Sequence, residues 1–202
     1  FLADASHELR TPLTALRGNV AHLARHGATP ALVADLEADA ERLARLADDL
    51  LALSREEAAA PTDEEVRLDE LAHDSGADEV DAEPVTVVGE RAALERALAN
   101  LVENARRHGR GTVRVSVRGD GPRALLSVED DGEGVHLLDR ERVFERFYGD
   151  GSGLGLAIVR ATAERHGGRA TVAGARFTIE LVRKASESRR HAAGEELEKG
   201  RP

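Results

Sequence analysis

The first 55 residues carry leucine at helical spacing on both sides of a single break, and this pattern limits the possible fold more than any other feature. Before the break, the apolar positions recur at three, four and seven residues: Leu2, Leu9, Leu13, Leu16, Val20 and Leu23. After it, they follow heptad-like spacing: Leu32, Leu36, Leu43, Leu46, Leu50 and Leu53. The break, Gly27-Ala28-Thr29-Pro30, is typical of a helix end. The sequence therefore predicts two helices, over about 1–26 and up to about residue 55, joined as a hairpin.

Such a hairpin has too little apolar surface to be stable alone. Two copies that pair as a four-helix bundle would cover both stripes. We therefore expect a homodimer through residues 1–57. The alternative is a hairpin that packs on the rest of its own chain, and the sequence leaves that alternative open.

One histidine of the first helix lies away from the apolar stripe. At about 100° per residue, His7 and Thr11 point nearly opposite the stripe, and Glu8 lies between their face and its flank. Pro12 offers no N–H to the carbonyl of Glu8, so we expect the helix to bend there. A neutral imidazole is nucleophilic near pH 7, and a neighbouring carboxylate can accept its proton. The pattern predicts an outward-facing nucleophile, with a surface histidine beside a chance carboxylate as the alternative.

The remainder of the chain has mixed periodicity. Residues 58–63 are typical of a linker. Beyond them, strands are predicted at 85–88, 112–118, 124–129, 170–172 and 177–182, and helices at 90–108, 139–147 and 154–166. This order predicts an α/β domain with a mostly antiparallel sheet under helices. The segment after residue 184 is charged and poor in apolar residues, so we expect it to be disordered.

Bulk properties exclude several classes of protein. A net charge of −10 argues against nucleic acid as a partner. Without cysteine, there are no disulfides and no thiolate metal sites. No apolar run reaches membrane-spanning length and no signal peptide is visible, so we expect no direct membrane contact. The chain opens at Phe1 and contains no methionine, which predicts a fragment of a longer protein. We expect this fragment to be cytoplasmic.

Two asparagines share one face of a predicted helix. Asn100 and Asn104 are four residues apart. Their neutral amide oxygens are hard ligands that suit Mg²⁺ bridging phosphate oxygens. Taken alone, such a pair is more often simple surface, and that interpretation stays open.

Two glycine-rich segments follow. Asp130 comes directly after a predicted strand and begins Asp-Asp-Gly-Glu-Gly, in which the glycines let backbone approach a ligand or simply form a turn. Residues 151–155, Gly-Ser-Gly-Leu-Gly, open a predicted helix whose free N–H groups suit a polyphosphate. The spacing is not the dinucleotide fingerprint, and no Gly-Lys pair is present for a Walker A loop.

In this order, these segments resemble the motifs of the sensor histidine kinases of two-component systems. The matching stretches are 1–14, 100–108, 130–134, 143–148 and 151–159. The resemblance implies an α+β fold class: a helical hairpin forming a dimeric four-helix bundle, followed by an α/β sandwich ATP-binding domain of the gyrase-like type. The implied domains are a hairpin for dimerisation and histidine phosphotransfer over 1–57, a linker over 58–65, a catalytic domain over 66–183 and a tail over 184–202.

The resemblance also implies a reaction. His7 would take the γ-phosphoryl group from ATP, with Glu8 as the base, and pass it to an aspartate in the receiver domain of a response regulator. Glu8 and Thr11 also match the E-x-x-T pattern linked in the family to dephosphorylation of the regulator. The regulator would dock on the first helix at residues 13–17 and on the second helix. The parent protein would be anchored in the bacterial plasma membrane.

For the second domain, the resemblance implies ATP and Mg²⁺ as cofactors. Asn104 would be the principal Mg²⁺ ligand, with Glu103 and Asn100 in support. Asp130 would accept a hydrogen bond from the exocyclic amine of adenine. The other implied ATP contacts are Arg107, His108, Gly132, Gly134, Phe144, Arg146, Gly151, Gly153, Leu154 and Gly155.

Two other functions remain open, and one departure from the family stands out. The alternatives are an ATPase of the wider family and a scaffold that binds nucleotide without transferring phosphate. Only Gly149 and Asp150 separate Tyr148 from Gly151, where the family has a longer mobile lid over the nucleotide. That lid is either naturally short or incomplete in this sequence, and its length puts the shielding of the γ-phosphate in doubt.

Overall fold

The computed structural model describes residues 2–58, 64–149 and 152–184, and within these it leaves the side chains of residues 2–4 and 6–8 undescribed. Several expectations lie outside the described part: most of the linker, Gly151, the tail after residue 184, and the side-chain directions of His7 and Glu8.

The predicted hairpin consists of α1, Leu2–His26, and α2, Pro30–Ala58. Gly27 adopts a φ of +83°, the left-handed conformation that glycine favours at a helix end. Thr29 then caps α2, because its Oγ1 accepts a hydrogen bond from Leu32 N at 3.2 Å. α1 runs without a break across Pro12, whose side chain is buried.

The apolar stripes of the hairpin are only partly covered within one chain. On α1, Leu13 and Val20 are 45% and 50% exposed, and Leu51 on α2 is 57% exposed. Leu46 and Leu53, by contrast, are buried against Leu154 and Ile158 of the following domain. One part of α2 therefore packs on the same chain, and other apolar positions face outward.

The second domain is an α/β sandwich, as expected. Its five-stranded sheet has the order β2, β4, β5, β7, β6, with β2 parallel to β4 and the other neighbours antiparallel. The bounds of these strands are β2 Glu79–Ala82, β4 Arg114–Asp120, β5 Arg123–Glu129, β6 Arg169–Ala173 and β7 Arg176–Val182. A separate antiparallel pair joins β1, Glu65–Arg67, to β3, Thr86–Val88.

The described part of this domain contains the helices α3 Leu68–Asp74, α4 Arg91–His108 and α5 Gly155–Arg165. The core lies between the helices and one face of the sheet, where alternate strand residues are buried, among them Val115, Val117, Leu126, Val128, Ile179 and Leu181. Helix α4 contributes Leu94, Leu98 and Leu101. Packing on the sheet therefore positions α4 and α5, and the C-terminal half of α4 and the start of α5 contribute to the site described below.

The helix predicted over 139–147 is wrong. The structure has two short 3₁₀ turns there, Leu137–Asp139 and Arg142–Phe144. Phe144 is the one residue of these turns that is buried, so no apolar stripe supports a longer helix. Phe147 then adopts a φ of +61°, which ends helical geometry.

The hairpin and the sandwich domain meet through α2 and α5. Arg165 Nε lies 2.8 Å from Glu56 Oε2, and both side chains are less than a tenth exposed. Arg165 also pairs with Glu90, with Nη2 and Oε2 2.8 Å apart. A second ion pair joins Arg146 to Glu57. Polar contacts therefore surround the apolar contact between Leu53 and α5.

In the described part of the chain, no helix combines the length and the apolar character that crossing a bilayer requires.

Candidate functional site

A cavity of about 880 Å³ lies between α2, α4 and the beginning of α5. It brings together nine of the residues singled out by sequence: Asn100, Glu103, Asn104, Arg107, His108, Asp130, Gly134, Gly153 and Gly155. Five others lie in described parts of the chain but are not part of its lining: Thr11, Gly132, Phe144, Arg146 and Leu154. The segments that were separate in sequence thus form one site.

Asp130 is held in a fixed orientation at one end of this cavity. It is 9% exposed, and its Oδ1 accepts hydrogen bonds from Gly132 N at 2.7 Å and from Arg110 N at 3.2 Å. Those two bonds occupy one carboxylate oxygen. The second oxygen is therefore the acceptor that remains for a ligand.

Two glycines allow close packing at this end of the cavity, one of them against the Asp130 carboxylate. A Cβ on Gly109 would lie 2.2 Å from Asp130 Cγ, so no larger residue fits there. Gly134 has a φ of +73°, and a Cβ there would lie 2.0 Å from the backbone of Gly174. Gly109 was missed by the sequence reasoning, although it directly follows the predicted helix, where a glycine is a common helix end.

The two asparagines of α4 lie side by side in the lining. Asn100 Nδ2 donates to Gly155 O at 3.2 Å, and this bond turns the amide nitrogen toward the start of α5. Its Oδ1 remains as an acceptor beside Asn104. Within the residues that the structure describes, no group of three or more His, Cys, Asp or Glu side chains converges to bind a metal. Amide oxygens together with ligand oxygens are a donor set that fits Mg²⁺.

The glycine loop before α5 is held by a backbone hydrogen bond and by a buried leucine side chain. Gly153 has a φ of +63° and accepts a hydrogen bond from Phe147 N at 2.8 Å. A Cβ on Gly153 would lie 2.5 Å from Phe147 Cα. Leu154 is fully buried against α2, so its side chain anchors the loop and does not line the cavity. The N–H groups at this helix start suit an anionic ligand.

Part of the cavity lining is apolar, and this part is called the apolar wall. It is formed by Val135, Val143, Leu156 and Phe177. Phe144 packs behind Phe177 with its ring edge-on, the two centroids being 6.1 Å apart. Phe144 therefore supports the wall from the core. The only tyrosine, Tyr148, also lines the cavity, and its hydrogen bond to Asp139 raises its pKa.

Five lining residues come from α2 and were not predicted: Arg42, Arg45, Leu46, Asp48 and Asp49. Ser152 Oγ donates to Asp49 Oδ2 at 2.7 Å, a contact between the glycine loop and the hairpin. Burial raises the pKa of the Asp49 carboxyl; the hydrogen bond from Ser152 opposes this, and the nearby charge of Glu103 adds to it. No local sequence signal could have found these residues, because they reach the cavity only through the docking of two domains.

The site begins about two residues from the level of His7 along the hairpin, because its lining residue Asp49 is level with Leu9. Asn19 Nδ2 donates to Asp39 Oδ2 at 3.1 Å, so these two residues face each other across the antiparallel hairpin. His7 is twelve residues before Asn19, and Leu51 is twelve residues after Asp39, which sets them at the same height. Leu9 packs against the same apolar cluster as Leu154. The His7 segment and the glycine loop therefore share one end of the hairpin.

Both parts of the chain match known sequence families. Residues 1–59 match the His Kinase A (phospho-acceptor) domain, and residues 89–185 match the histidine kinase-, DNA gyrase B- and HSP90-like ATPase family.

Two curated mycobacterial proteins are similar to the chain. It is 38% identical over 200 residues to the probable sensor histidine kinase TcrY of Mycobacterium tuberculosis, covering 85% of this chain and 42% of TcrY. It is 39% identical over 198 residues to the signal transduction histidine-protein kinase/phosphatase MprB of Mycobacterium sp. strain KMS, covering 83% of this chain and 38% of MprB. The chain thus spans about two fifths of the length of these relatives.

Solved structures agree with the sequence matches. The mycobacterial sensor histidine kinase MprB superposes with a TM-score of 0.56 at 31% identity, covering 62% of this chain and 100% of that one. The histidine kinase AdeS of Acinetobacter baumannii superposes with a TM-score of 0.74 at 26% identity, covering 89% of this chain and 98% of AdeS.

Proposed function

Because this chain belongs to the sensor histidine kinases, we propose that it binds ATP with Mg²⁺ in the cavity and transfers the γ-phosphoryl group to His7. One observation supports the proposal most: the amide pair, Asp130 and the glycine loop line a single cavity beside α2, whose nearest lining residue, Asp49, is level with Leu9, two residues from His7. Phosphorylated His7 would then donate to an aspartate in the receiver domain of a response regulator.

Asp130 selects the base in this proposal. Its second carboxylate oxygen accepts a hydrogen bond from the exocyclic amine of adenine. Guanine presents a carbonyl at that position, and two acceptors facing each other in a buried site would leave both unsatisfied. The apolar wall formed by Val135, Val143, Leu156 and Phe177 packs against the faces of the base.

Asn104, Asn100 and Glu103 would hold Mg²⁺ at the other end of the cavity. When bound, the metal supplies charge neutralisation for the phosphate oxygens. The N–H groups at the start of α5 bind the same phosphates. In the transfer step, the imidazole nitrogen of His7 bonds to the γ-phosphorus as the bond to the β–γ bridging oxygen breaks. ADP leaves, and Glu8 accepts the imidazole proton.

Labelling with [γ-³²P]ATP tests the proposal. We expect the chain to acquire label that is lost in acid and kept in base, as a phosphoramidate requires. ATP labelled at the α position is the control and should leave the protein unlabelled. Release of free phosphate with no labelled protein would favour the ATPase alternative, and ATP binding with neither label nor release would favour the scaffold.

Asp130→Asn is expected to weaken ATP binding by about 2–3 kcal/mol, roughly 30- to 150-fold, because it sets an amide N–H₂ against the adenine amine and leaves buried donors unpaired. Titration calorimetry with Mg²⁺–ATP measures the loss. Asp131→Asn is the matched control: Asp131 is exposed, Arg114 holds its pKa below its usual range, and its replacement should change ATP affinity less than twofold. Equal losses in the two variants would contradict the role given to Asp130.

We also propose a phosphatase activity toward the phosphorylated regulator. Thr11 is exposed on α1 one turn after His7, and the relative MprB is named as a kinase/phosphatase. A hydroxyl there would position the water that attacks the regulator's phosphoaspartate.

Thr11→Ala is expected to slow dephosphorylation of the regulator about tenfold or more while leaving His7 labelling unchanged. Loss of phosphate from a purified, phosphorylated receiver domain measures it. Thr14→Ala is the control, because Thr14 is an exposed threonine three residues further on whose hydroxyl donates to Arg10 O at 2.7 Å. If Thr11→Ala dephosphorylates the regulator as fast as the unaltered chain does, the phosphatase proposal is wrong.

We also propose that the chain forms a homodimer through residues 1–57. The outward-facing Leu13, Val20 and Leu51 support it, because a second hairpin would cover them. The proposed division is 1–57, 58–65, 66–183 and 184–202, with Glu65 joined to the sandwich domain through its pairing with Val88. The parent protein would be held at the bacterial plasma membrane with this part in the cytoplasm.

A further inference from the structure

Two arginines of the hairpin lie in the wall of the nucleotide cavity. Arg42 and Arg45 are on α2, three residues apart, and Asp49 follows four residues later on the same face. On the far wall are Asn104 and Arg107 of α4. We propose that Arg42 and Arg45 contact the phosphates of bound ATP, so that α2 of the phosphoacceptor hairpin completes the nucleotide site of the sandwich domain. This inference rests on the proposed function.

The hydrogen bond between Ser152 and Asp49 fixes where these arginines lie. It seats α2 directly against the glycine loop, which is the part of the cavity suited to phosphate. At 1.5 Å per residue, Arg45 lies about 6 Å and Arg42 about 10 Å along α2 from that contact. The charge of Glu103 acts on Asp49, so the end of the cavity near the amide pair faces the same stretch of α2.

The charges of the cavity explain why these arginines are needed. Four carboxylates line it: Asp48, Asp49, Glu103 and Asp130. The sandwich domain supplies one lining arginine, Arg107, and that side chain already pairs with Glu103 at 3.1 Å. Arg146 pairs with Glu57 and is not part of the lining. Asp48 and Asp49 are on α2, so without α2 a triphosphate would meet two carboxylates, Glu103 and Asp130, and one arginine that is already paired, among the described lining residues.

Arginine is suited to this role because its planar guanidinium binds phosphate oxygens in pairs. Arg45 forms an ion pair with Glu41 at 3.6 Å, and both of those side chains are more than half exposed. An exposed pair of that length contributes little to stability, so it does not account for the position of Arg45 at the cavity.

Titration calorimetry on the whole chain tests the inference with two ligands, Mg²⁺–ATP and adenosine. In the double variant Arg42→Gln/Arg45→Gln we expect ATP to bind at least tenfold more weakly, while adenosine affinity stays within twofold. Lysine at both positions should recover part of the ATP affinity, because it restores the charge but not the paired hydrogen bonds. The control is Arg25→Gln/Arg169→Gln, which removes the same charge from two exposed sites outside the cavity and should leave both affinities unchanged.

Each result separates the inference from the proposed function. If the unaltered chain and the double variant bind ATP equally, the inference is wrong and the ATP site stands without α2. If ATP and adenosine affinities fall by the same factor, or the control falls as far as the double variant, a phosphate contact is also excluded. If the unaltered chain does not bind ATP, the proposed function fails and the inference fails with it.

Discussion

Replacing His7 with glutamine is expected to abolish labelling of the chain by [γ-³²P]ATP, a fall of roughly 1,000-fold or more. Glutamine is polar and similar in reach, but its amide nitrogen is not a nucleophile, so no bond to phosphorus forms. ATP affinity should stay within twofold, because every ATP contact proposed above lies on α2 or in the sandwich domain. Autoradiography after electrophoresis measures the label, and calorimetry measures the affinity.

The same helix supplies the controls for this substitution. His22 and His26 are exposed on α1, with ring centroids 4.6 Å apart, and neither lines the cavity. His22→Gln and His26→Gln should label as the unaltered chain does. If label persists in His7→Gln but disappears in one of the other two variants, that other histidine is the phosphoacceptor and the role proposed for His7 is wrong.

Arg165→Met is expected to weaken the docking of the sandwich domain on the hairpin by about 3–5 kcal/mol. Arg165 pairs with Glu56 and Glu90, and the Glu56 side chain is only 7% exposed. Without the guanidinium, Glu56 would be a buried charge with no counterion. The Glu56 carboxylate is hydrated when α5 and α2 are apart. Because hydration stabilises the charge, we expect the two domains to separate. Faster amide exchange at 46–57 and 154–165, with a larger radius of gyration in solution scattering, would report it.

An exposed arginine on the same helix distinguishes this effect from a general one. Arg160 pairs with Glu164 at 3.0 Å, and both side chains are about half exposed. Arg160→Met should change docking by less than about 1 kcal/mol. A second check is the double variant Glu56→Met/Arg165→Met, which should dock better than Arg165→Met because it leaves no lone buried charge at Glu56. If the amides at 46–57 and 154–165 exchange equally fast in Arg165→Met and in Arg160→Met, the buried ion pair does not hold the domains together.

Much of this fold could be predicted from sequence because its long elements repeat regularly. The hairpin follows from leucine spacing, and the helix Arg91–His108 and the strand Arg123–Glu129 were placed within about one residue. The histidine kinase family was correctly identified from the order of five motifs. The strand predicted at 85–88 is present as Thr86–Val88, but its partner Glu65–Arg67 was missed, because this three-residue strand is stabilised only by pairing with a segment about twenty residues along the chain.

The α2 residues of the site could not be predicted from local sequence patterns, for a related reason. Asp49 and Ser152 are 103 residues apart, and their hydrogen bond lies beside the apolar contact of Leu53 with Leu154 and Ile158. Periodicity marked Leu46 and Leu53 as apolar, but it could not say whether a second copy or the chain's own domain covers them. The false helix at 139–147 has the same origin, since Phe144 is held by Phe177 from another part of the sheet.

The pairing of Asn19 with Asp39 has a consequence for the order of events during signalling. By the same counting, residues 13–17 of α1, where the regulator is proposed to dock, lie level with residues 41–45 of α2. Arg42 and Arg45 are in that stretch, in the wall of the cavity. On these proposals, a receiver domain and a docked ATP domain would compete for one section of a single hairpin. Phosphorylation of His7 and transfer of its phosphate would then be consecutive, and departure of the ATP domain would limit the rate at which the signal is passed on.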